Sequence, residues 1–404
     1  MADPIDIRPI IGLPPSDTAR AFGARDELRQ TVKWSEMWHG DHARAFTVAK
    51  VAKLDLLNTI RASLDDALRN GGTFEQWQAG LVPELQKAGW WGRVADKELT
   101  GTSQPIFVGP RRLRTIYDTN LRVSRAAGQW ARIQELKDVA PYLRYSAVMD
   151  RRTRPQHRIW HGTILRVDDP WWDEHYPPCG WRCRCNVLQL SDRDLKARGW
   201  EVSKSPPPEG PGRSFWPAGA ERPVRVPSGI DPGFAYNPGK ASMAAIADKA
   251  ARTLAETALH NLAAARAVLR DLVDSPAFLK AMDEPDTGFP VMILDAETRG
   301  LIGADTPVAM LSSATFAKQN RNHPELTLAR YRRLPEIGAA ADIVARDGDT
   351  VLLMVKADDG AWLVTVVKAT RTGLGLFVQS FRVQNDRSLK RLLKRAEIIR
   401  DARK

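Results

Sequence analysis

Residues 176–187 read YPPCGWRCRCNV and hold every cysteine of a 404-residue chain, namely Cys179, Cys183 and Cys185. Upstream of this loop apolar residues recur at helical steps. Between Pro141 and Leu190 that period fails, and Trp, His, Asp, Pro and Cys take over. A segment without an apolar period reads as loop-rich and held by something other than a large core. Three thiols placed just after His157, His161 and His175 are the most conspicuous candidates for what holds it.

Working outward, Phe46, Val51, Leu54, Leu57, Ile60, Leu64 and Leu68 predict a helix from Ala43 that Gly71-Gly72 stops. Thr73 and Gln76 have the spacing of a capping box, and Trp77, Leu81 and Leu85 continue a second helix. A third, from Arg111 to Lys137, turns Leu113, Ile116, Leu121 and Trp130 inward and leaves Arg111, Arg112, Arg114, Arg122 and Arg125 outside. Residues 1–42, with Pro4, Pro9, Pro14 and Pro15, read as an extended Pro-rich arm. Beyond the loop, 191–240 is a Pro/Gly-rich linker in which Phe215, Trp216, Phe234 and Tyr236 argue for order. Residues 241–285 form a long Ala-rich helix, with Ser275-Pro276 as a candidate break. Residues 286–404 form a small domain: segments 351–356, 361–370 and 375–383 make an antiparallel meander, 307–334 reads as helical, and Arg387–Arg400 as a basic helix. The expected fold class is α+β multidomain, with a mainly helical N-terminal part, a loop-rich Cys/His/Trp module at 141–190 and a small α+β domain carrying an antiparallel sheet.

Lysine and arginine number 60 against 48 acids, a formal charge of +12. Nucleic acid is the polyanion such a charge suits, although a generic basic surface has the same composition. No apolar run approaches the ~20 residues that cross a bilayer, and the start MADPIDIRPIIGLPPSD has acids and prolines where a secretory signal needs a basic start. The expected location is therefore the cytoplasm, with no membrane partner.

The cysteine cluster has three readings. Cys183 and Cys185 are too close in sequence for an easy disulfide, and the cytoplasm disfavours one. Thiolates with neighbouring imidazoles suit a structural zinc, although Cys-x-Cys is not the usual Cys-x-x-Cys spacing. Small buried thiols in a tightly turned Trp/Pro cluster fit equally well, and a nucleophilic thiol is the third possibility.

The string from Met149 to Val187 resembles the signature of the phage Mu F-like head-morphogenesis family: Asp150, Arg152-Thr153, Pro155, His157, Gly162, Trp172, Pro177-Pro178 and Cys183-Arg184-Cys185 fall in the family's order. AFTVAKVAK at 45–53 and IDPGFAYNPGK after the linker resemble Mu-type members too, so the likeness covers roughly residues 20–245, with 43–190 as the head-morphogenesis domain. Some relatives have Cys where Arg154 stands and His where this chain has Gly180, and Cys179 replaces a residue that is often Asn. The metal set that the resemblance leaves is His157, Cys183 and Cys185, with His161 or Cys179 as fourth. Membership implies a minor capsid protein acting in head morphogenesis beside the portal, with portal and capsid proteins and DNA as partners. It would be made in the host cytoplasm and carried in the capsid interior of the virion.

Residues 291–385 resemble the small barnase, EndoU, colicin and RelE-like nucleases. That likeness implies metal-independent RNA cleavage, an effector role of a different class. His323 would be the acid or base. Lys368, Thr370, Arg371, Ser380 and Arg382 would form a cationic, hydroxyl-bearing floor on neighbouring strands. The plainer alternative is a solvated sheet surface and a helix-capping His323-Pro324.

Overall fold

The computed structural model describes residues 15–283 and 287–403, which fall into two compact units divided between Ala245 and Ile246. In the first unit, α1 (Pro15–Gly23), α2 (Leu54–Asn70), α3 (Phe74–Lys87) and α4 (Pro110–Leu136) enclose a core. Leu57, Ile60 and Leu64 lie on one stripe of α2 and are completely buried, each contributing about 1.5–3 kcal/mol of apolar transfer. Gly71 ends α2 at φ 73°, a left-handed position that suits glycine. The capping box forms as expected: Gln76 N donates to Thr73 Oγ1 at 3.3 Å, and Thr73 N donates to Gln76 Oε1 at 2.9 Å. α2 begins at Leu54 and not at Ala43, because Ala45–Phe46 pairs as a strand with Glu27–Leu28.

The extended arm needs correcting where it is described. Pro4, Pro9 and Pro14 lie outside the described residues. Pro15 opens α1, the helix position where a missing N–H costs least, and Phe22 of that helix is buried edge-on against Phe46 at 6.0 Å.

α4 serves two cores. Its front half gives Leu113, Tyr117 and Leu121 to the helical one; its back half gives Trp130 and Ile133 to a second, aromatic one. There β1 (Tyr142–Ser146) is the middle strand of an antiparallel sheet with β2 (Ile164–Arg166) and β3 (Asn186–Leu190). Helices α5 (Pro155–Trp160) and α6 (Trp171–His175) lie in the loops between these strands. The module is therefore not short of a core. Tyr145, Trp160, Trp172 and Tyr176 are all within 2% of complete burial, and a few large rings supply apolar area that a short aperiodic segment could not gather from aliphatic residues.

Residues 191–240 are likewise no linker. A hairpin of β4 (Arg213–Phe215) and β5 (Val224–Val226) returns the chain, and Val226, Ile230 and Phe234 enter the aromatic core. α7 (Pro238–His260) follows. At its start Gly239 faces Trp130 so closely that an added Cβ would overlap the indole.

The expected helix 241–285 is divided twice: Asn261 Oδ1 accepts from Ala264 N at 3.0 Å and starts α8 (Leu262–Asp274), and α9 (Pro276–Asp283) starts at the proline. Residues 284–286 lie outside the described ones. The second unit is built on a seven-stranded sheet among the described residues: β6 (Gly288–Ile293), β7 (Val308–Ser312), β8 (Ile343–Asp347), β9 (Thr350–Lys356), β10 (Trp362–Ala369), β11 (Leu376–Gln384) and β12 (Glu397–Asp401), in the order β6-β7-β11-β10-β9-β8-β12. The antiparallel meander is β9-β10-β11. Residues 307–334 depart from helix at their start, where β7 runs parallel to β11 before α10 (Ser313–Asn322). The basic helix stops early: α11 (Asp386–Leu393) buries Leu389, and Ile399 sits on β12, which pairs along β8. No helix of the described residues is long and apolar enough to cross a membrane.

Two predictions follow from this packing. Alanine normally improves a helix over glycine by ~1 kcal/mol, but Gly239→Ala should destabilise the first unit by about 1–3 kcal/mol because the contact with Trp130 decides the sign; urea unfolding followed by tryptophan fluorescence measures it. His39 and His42 are lowered to about 4, both mainly by burial, with Arg25 adding to the effect at His42. The unfolded chain therefore binds more protons between about pH 6.5 and 4, so stability falls as pH falls through that window. The melting temperature should drop from pH 7 to 4.5, and His42→Asn should shrink the drop.

Candidate functional site

The site is assembled by α5, the loop before it, the Cys-Arg-Cys loop and the returning segment after β5. His157 on α5 is 2% exposed, and its Nε2 lies 3.0 Å from the Gly229 carbonyl oxygen. A carbonyl only accepts, so Nε2 carries the hydrogen and Nδ1 presents its lone pair. That lone pair meets Cys185 Sγ at 3.3 Å and Cys183 Sγ at 3.9 Å. The three atoms lie within 4.8 Å of one another, and all three cysteines are free. The hydrogen bond from Cys185 holds the Cys183 thiol well below its ordinary value, and the same contact pushes Cys185 up.

The two expected fourth ligands are engaged elsewhere. His161 Nδ1 accepts from Ala147 N at 3.0 Å. Cys179 Sγ donates to the His175 carbonyl at 3.2 Å and accepts from the Tyr145 hydroxyl at 3.7 Å, while burial pushes its thiol up and keeps it neutral. The His/Cys set is therefore three residues. One imidazole nitrogen with a fixed tautomer and two sulfurs is a donor set that zinc accepts.

Carboxylates hold the loop in place. Asp150 receives both Nη atoms of Arg184 at 2.6 and 2.7 Å, the Arg152 N–H at 2.9 Å and the Thr153 hydroxyl at 3.2 Å, and Arg184 above all holds its carboxyl well below the usual range. Because Arg184 stands between the two sulfurs in sequence, Asp150 fixes the Cys-Arg-Cys turn. Arg122 Nη1 donates to the Cys183 carbonyl at 2.9 Å. Asp231 accepts from Arg154 Nη2 at 2.6 Å and from Trp181 N at 2.9 Å.

The two departures from the family pattern meet here. A Cβ on Gly180 would overlap Arg154 Nη1 and the Asp231 carboxylate, so the Arg154–Asp231 salt bridge fills the space that a side chain at 180 would need. Arg182, next in the loop, has a left-handed backbone at φ 58°, uncommon for a non-glycine residue. Over this assembly opens a cavity of about 710 Å³ walled by seven arginines (Arg111, Arg114, Arg122, Arg152, Arg154, Arg182 and Arg184), with Asp118 as its one acid and His157, Cys183 and Cys185 on its wall.

The six residues expected in a nuclease are not all brought together. On β11, Ser380 and Arg382 flank Phe381, which is buried in the main core of the second unit; on β10, Lys368 follows Val367 of the same core. Strand alternation therefore puts Lys368, Ser380 and Arg382 on the other face of the sheet. His323 caps α10, which packs through Phe316 against Tyr331, and Tyr331 in turn against Phe381. It belongs to the Phe381 face and pairs with Glu325 at 3.1 Å. Lys368 pairs with Asp349 at 2.6 Å, and Thr370 and Arg371 occupy the exposed turn after β10.

Sequence reasoning missed Gly229 and Asp231. The phrase IDPGFAYNPGK that contains Asp231 was noticeable, but nothing local to it points to a partner some 70 residues earlier.

Comparison with known proteins agrees with this picture. Residues 58–188 match the family described as "Phage Mu protein F like protein". The chain is thus Mu F-like through this region, which contains all three cysteines and His157. "Putative capsid assembly protein F" of Escherichia phage Mu is 39% identical over 258 residues, 59% of this chain and 57% of that protein. "Mu-like prophage FluMu F protein" of Haemophilus influenzae is 43% identical over 176 residues, 43% of this chain and 42% of that protein. The chain thus spans about half the length of the curated relatives it matches. No solved structure matches it.

Gly180→Ala should displace the Arg154–Asp231 pair and destabilise the first unit by about 1–3 kcal/mol. Chemical denaturation of the full chain measures it; a change under 0.3 kcal/mol would show that the arginine simply moves aside.

Proposed function

We propose that this chain is a structural protein of phage head assembly, a minor capsid component acting beside the portal. The observation that carries the reading is the 39% identity over 258 residues to a protein named for capsid assembly. The geometry is consistent with it, because the buried His157 imidazole is anchored by the Gly229 carbonyl and its loop by salt bridges, features of a rigid docking module. Quantitative mass spectrometry of proheads and mature particles tests the role. A few copies per portal ring are expected, and absence from both particle types overturns the reading.

Within that role His157, Cys183 and Cys185 hold a zinc ion that braces the Cys-Arg-Cys turn. Zinc bound there would supply cross-linking of α5 to the loop before β3; the chain's own contribution is the Gly229 carbonyl, which sets the imidazole tautomer. Cys183→Ser/Cys185→Ser should lose one equivalent of zinc from the purified chain and lower its melting temperature. An unchanged zinc content would leave packing as the only job of these thiols.

The arginine-walled cavity is the surface for packaged DNA. Arg111 and Arg182 form no ion pair among the described residues, so their charge is free for phosphate. Arg111→Glu/Arg182→Glu should weaken duplex DNA binding at least roughly tenfold at 0.1 M salt and flatten its dependence on salt. Equal binding by fluorescence anisotropy would remove the cavity from that role.

A further inference from the structure

Apart from the His/Cys set, one further cluster among the described residues of the first unit brings metal-ligating groups together: Glu174 and His175 at the end of α6 and Glu209 in the segment before β4. One donor atom from each lies within 4.8 Å of the other two. His175 is 2% exposed. Its ring stacks on Trp171 at 4.5 Å and 10° and meets Trp160 edge-on at 4.9 Å. Its orientation is fixed by backbone as well, since Nδ1 lies 3.1 Å from the Trp171 carbonyl oxygen. That nitrogen therefore carries the hydrogen, and Nε2 presents a lone pair.

Nε2 is buried and has no hydrogen-bond partner. The atom facing it is another acceptor, Glu209 Oε1 at 3.6 Å, beyond the reach of a hydrogen bond. The second oxygen of Glu209 is taken by Arg225 Nη2, which leaves Oε1 for the cluster. Burial first, and then the neighbouring Glu209, pushes the Glu174 carboxyl up, and burial pushes His175 down. A neutral imidazole lone pair and two carboxylates are thus turned toward one another, an arrangement that a cation between them would stabilise.

We propose that Glu174, His175 and Glu209 form a second metal site that takes a divalent transition-metal ion of the zinc class. The imidazole selects against magnesium and calcium, which prefer all-oxygen shells, and one nitrogen with two carboxylate oxygens is within the zinc repertoire. The Trp171 carbonyl on Nδ1 and the Arg225 guanidinium on Glu209 are the outer contacts that orient such ligands. The metal would tie α6 of the aromatic module to the segment that returns over it. The site shares no residue with the His157 cluster, so it stands or falls separately from the zinc reading there.

The test uses the full chain, stripped with a chelator and titrated with zinc chloride, then with cobalt(II) for its spectrum. Four versions are compared: wild type, Glu174→Gln/Glu209→Gln, Cys183→Ser/Cys185→Ser, and all four changes together. The glutamine pair should bind one zinc fewer than wild type while keeping any thiolate-to-cobalt absorption. The serine pair should keep one cobalt with no thiolate absorption, and the combined version should bind none. If the wild type binds a single ion that the serine pair keeps and the glutamine pair loses, the second site stands and the cysteine reading fails. If the glutamine pair binds as many ions as wild type, or the serine pair binds none, the proposal is overturned and the Glu174–His175–Glu209 cluster holds no metal. Should the glutamine pair fail to fold by circular dichroism, Glu174→Gln alone decides: zinc affinity at this site at least roughly tenfold weaker supports the site, and unchanged affinity removes it.

Discussion

The hydrogen bond from His157 Nε2 to the Gly229 carbonyl is the constraint on which the front unit turns. The imidazole is buried, and leaving it there without a partner would cost about 1–3 kcal/mol. To supply that carbonyl the chain has to return after β5, which brings Ile230 and Phe234 into the aromatic core and Asp231 onto Arg154. One donor therefore fixes the tautomer, the direction of the sulfur-facing lone pair and the path of a segment some 70 residues away.

The arginine-rich wall is tolerated because its charges are tethered. Asp150 and Asp231 each bind an arginine and a backbone N–H of the same loops, so the cations that shape the turn are neutralised where the turn is made. Arg111, Arg122 and Arg182 have no ion pair among the described residues, Arg122 donating instead to the Cys183 carbonyl. A loop built this way is stiff without needing an apolar period. The aromatic rings beneath it supply the burial that the period would otherwise have given.

Much of this was legible from residue order alone. Helix spacing located α2, α3 and α4, the Thr73–Gln76 cap formed as its spacing demands, and turn chemistry placed the meander of the second unit. The errors have physical causes. Pro and Gly density between 191 and 240 suggested a linker because composition records backbone freedom and is blind to where Val226, Ile230 and Phe234 dock. Residues 308–312 looked continuous with the helix after them because a run of four apolar residues, Val308 to Leu311, fits either period. Leu389, Leu392 and Leu393 share a helical stripe, but Ile399 followed them only in sequence and belongs to β12. At the site, residue type offered His157, His161 and His175 alike beside the three thiols, and it was the family resemblance that singled out His157, Cys183 and Cys185. His161, the alternative fourth ligand, is engaged by Ala147 N, a backbone contact, and Gly229 likewise contributes through its backbone, which no side-chain pattern encodes.

The separation between His157 and the residues that complete its site also sets an order of events during synthesis. At roughly 5–20 residues per second, the ribosome takes on the order of several seconds to add the stretch between them. From completion of the Cys-Arg-Cys loop until residues 229–231 arrive, α5 and the loop exist without the Gly229 carbonyl and Asp231. Arrival of the 229–231 segment therefore completes the site: until then the His157 imidazole has no carbonyl to set its tautomer and Arg154 has no Asp231 to pair with.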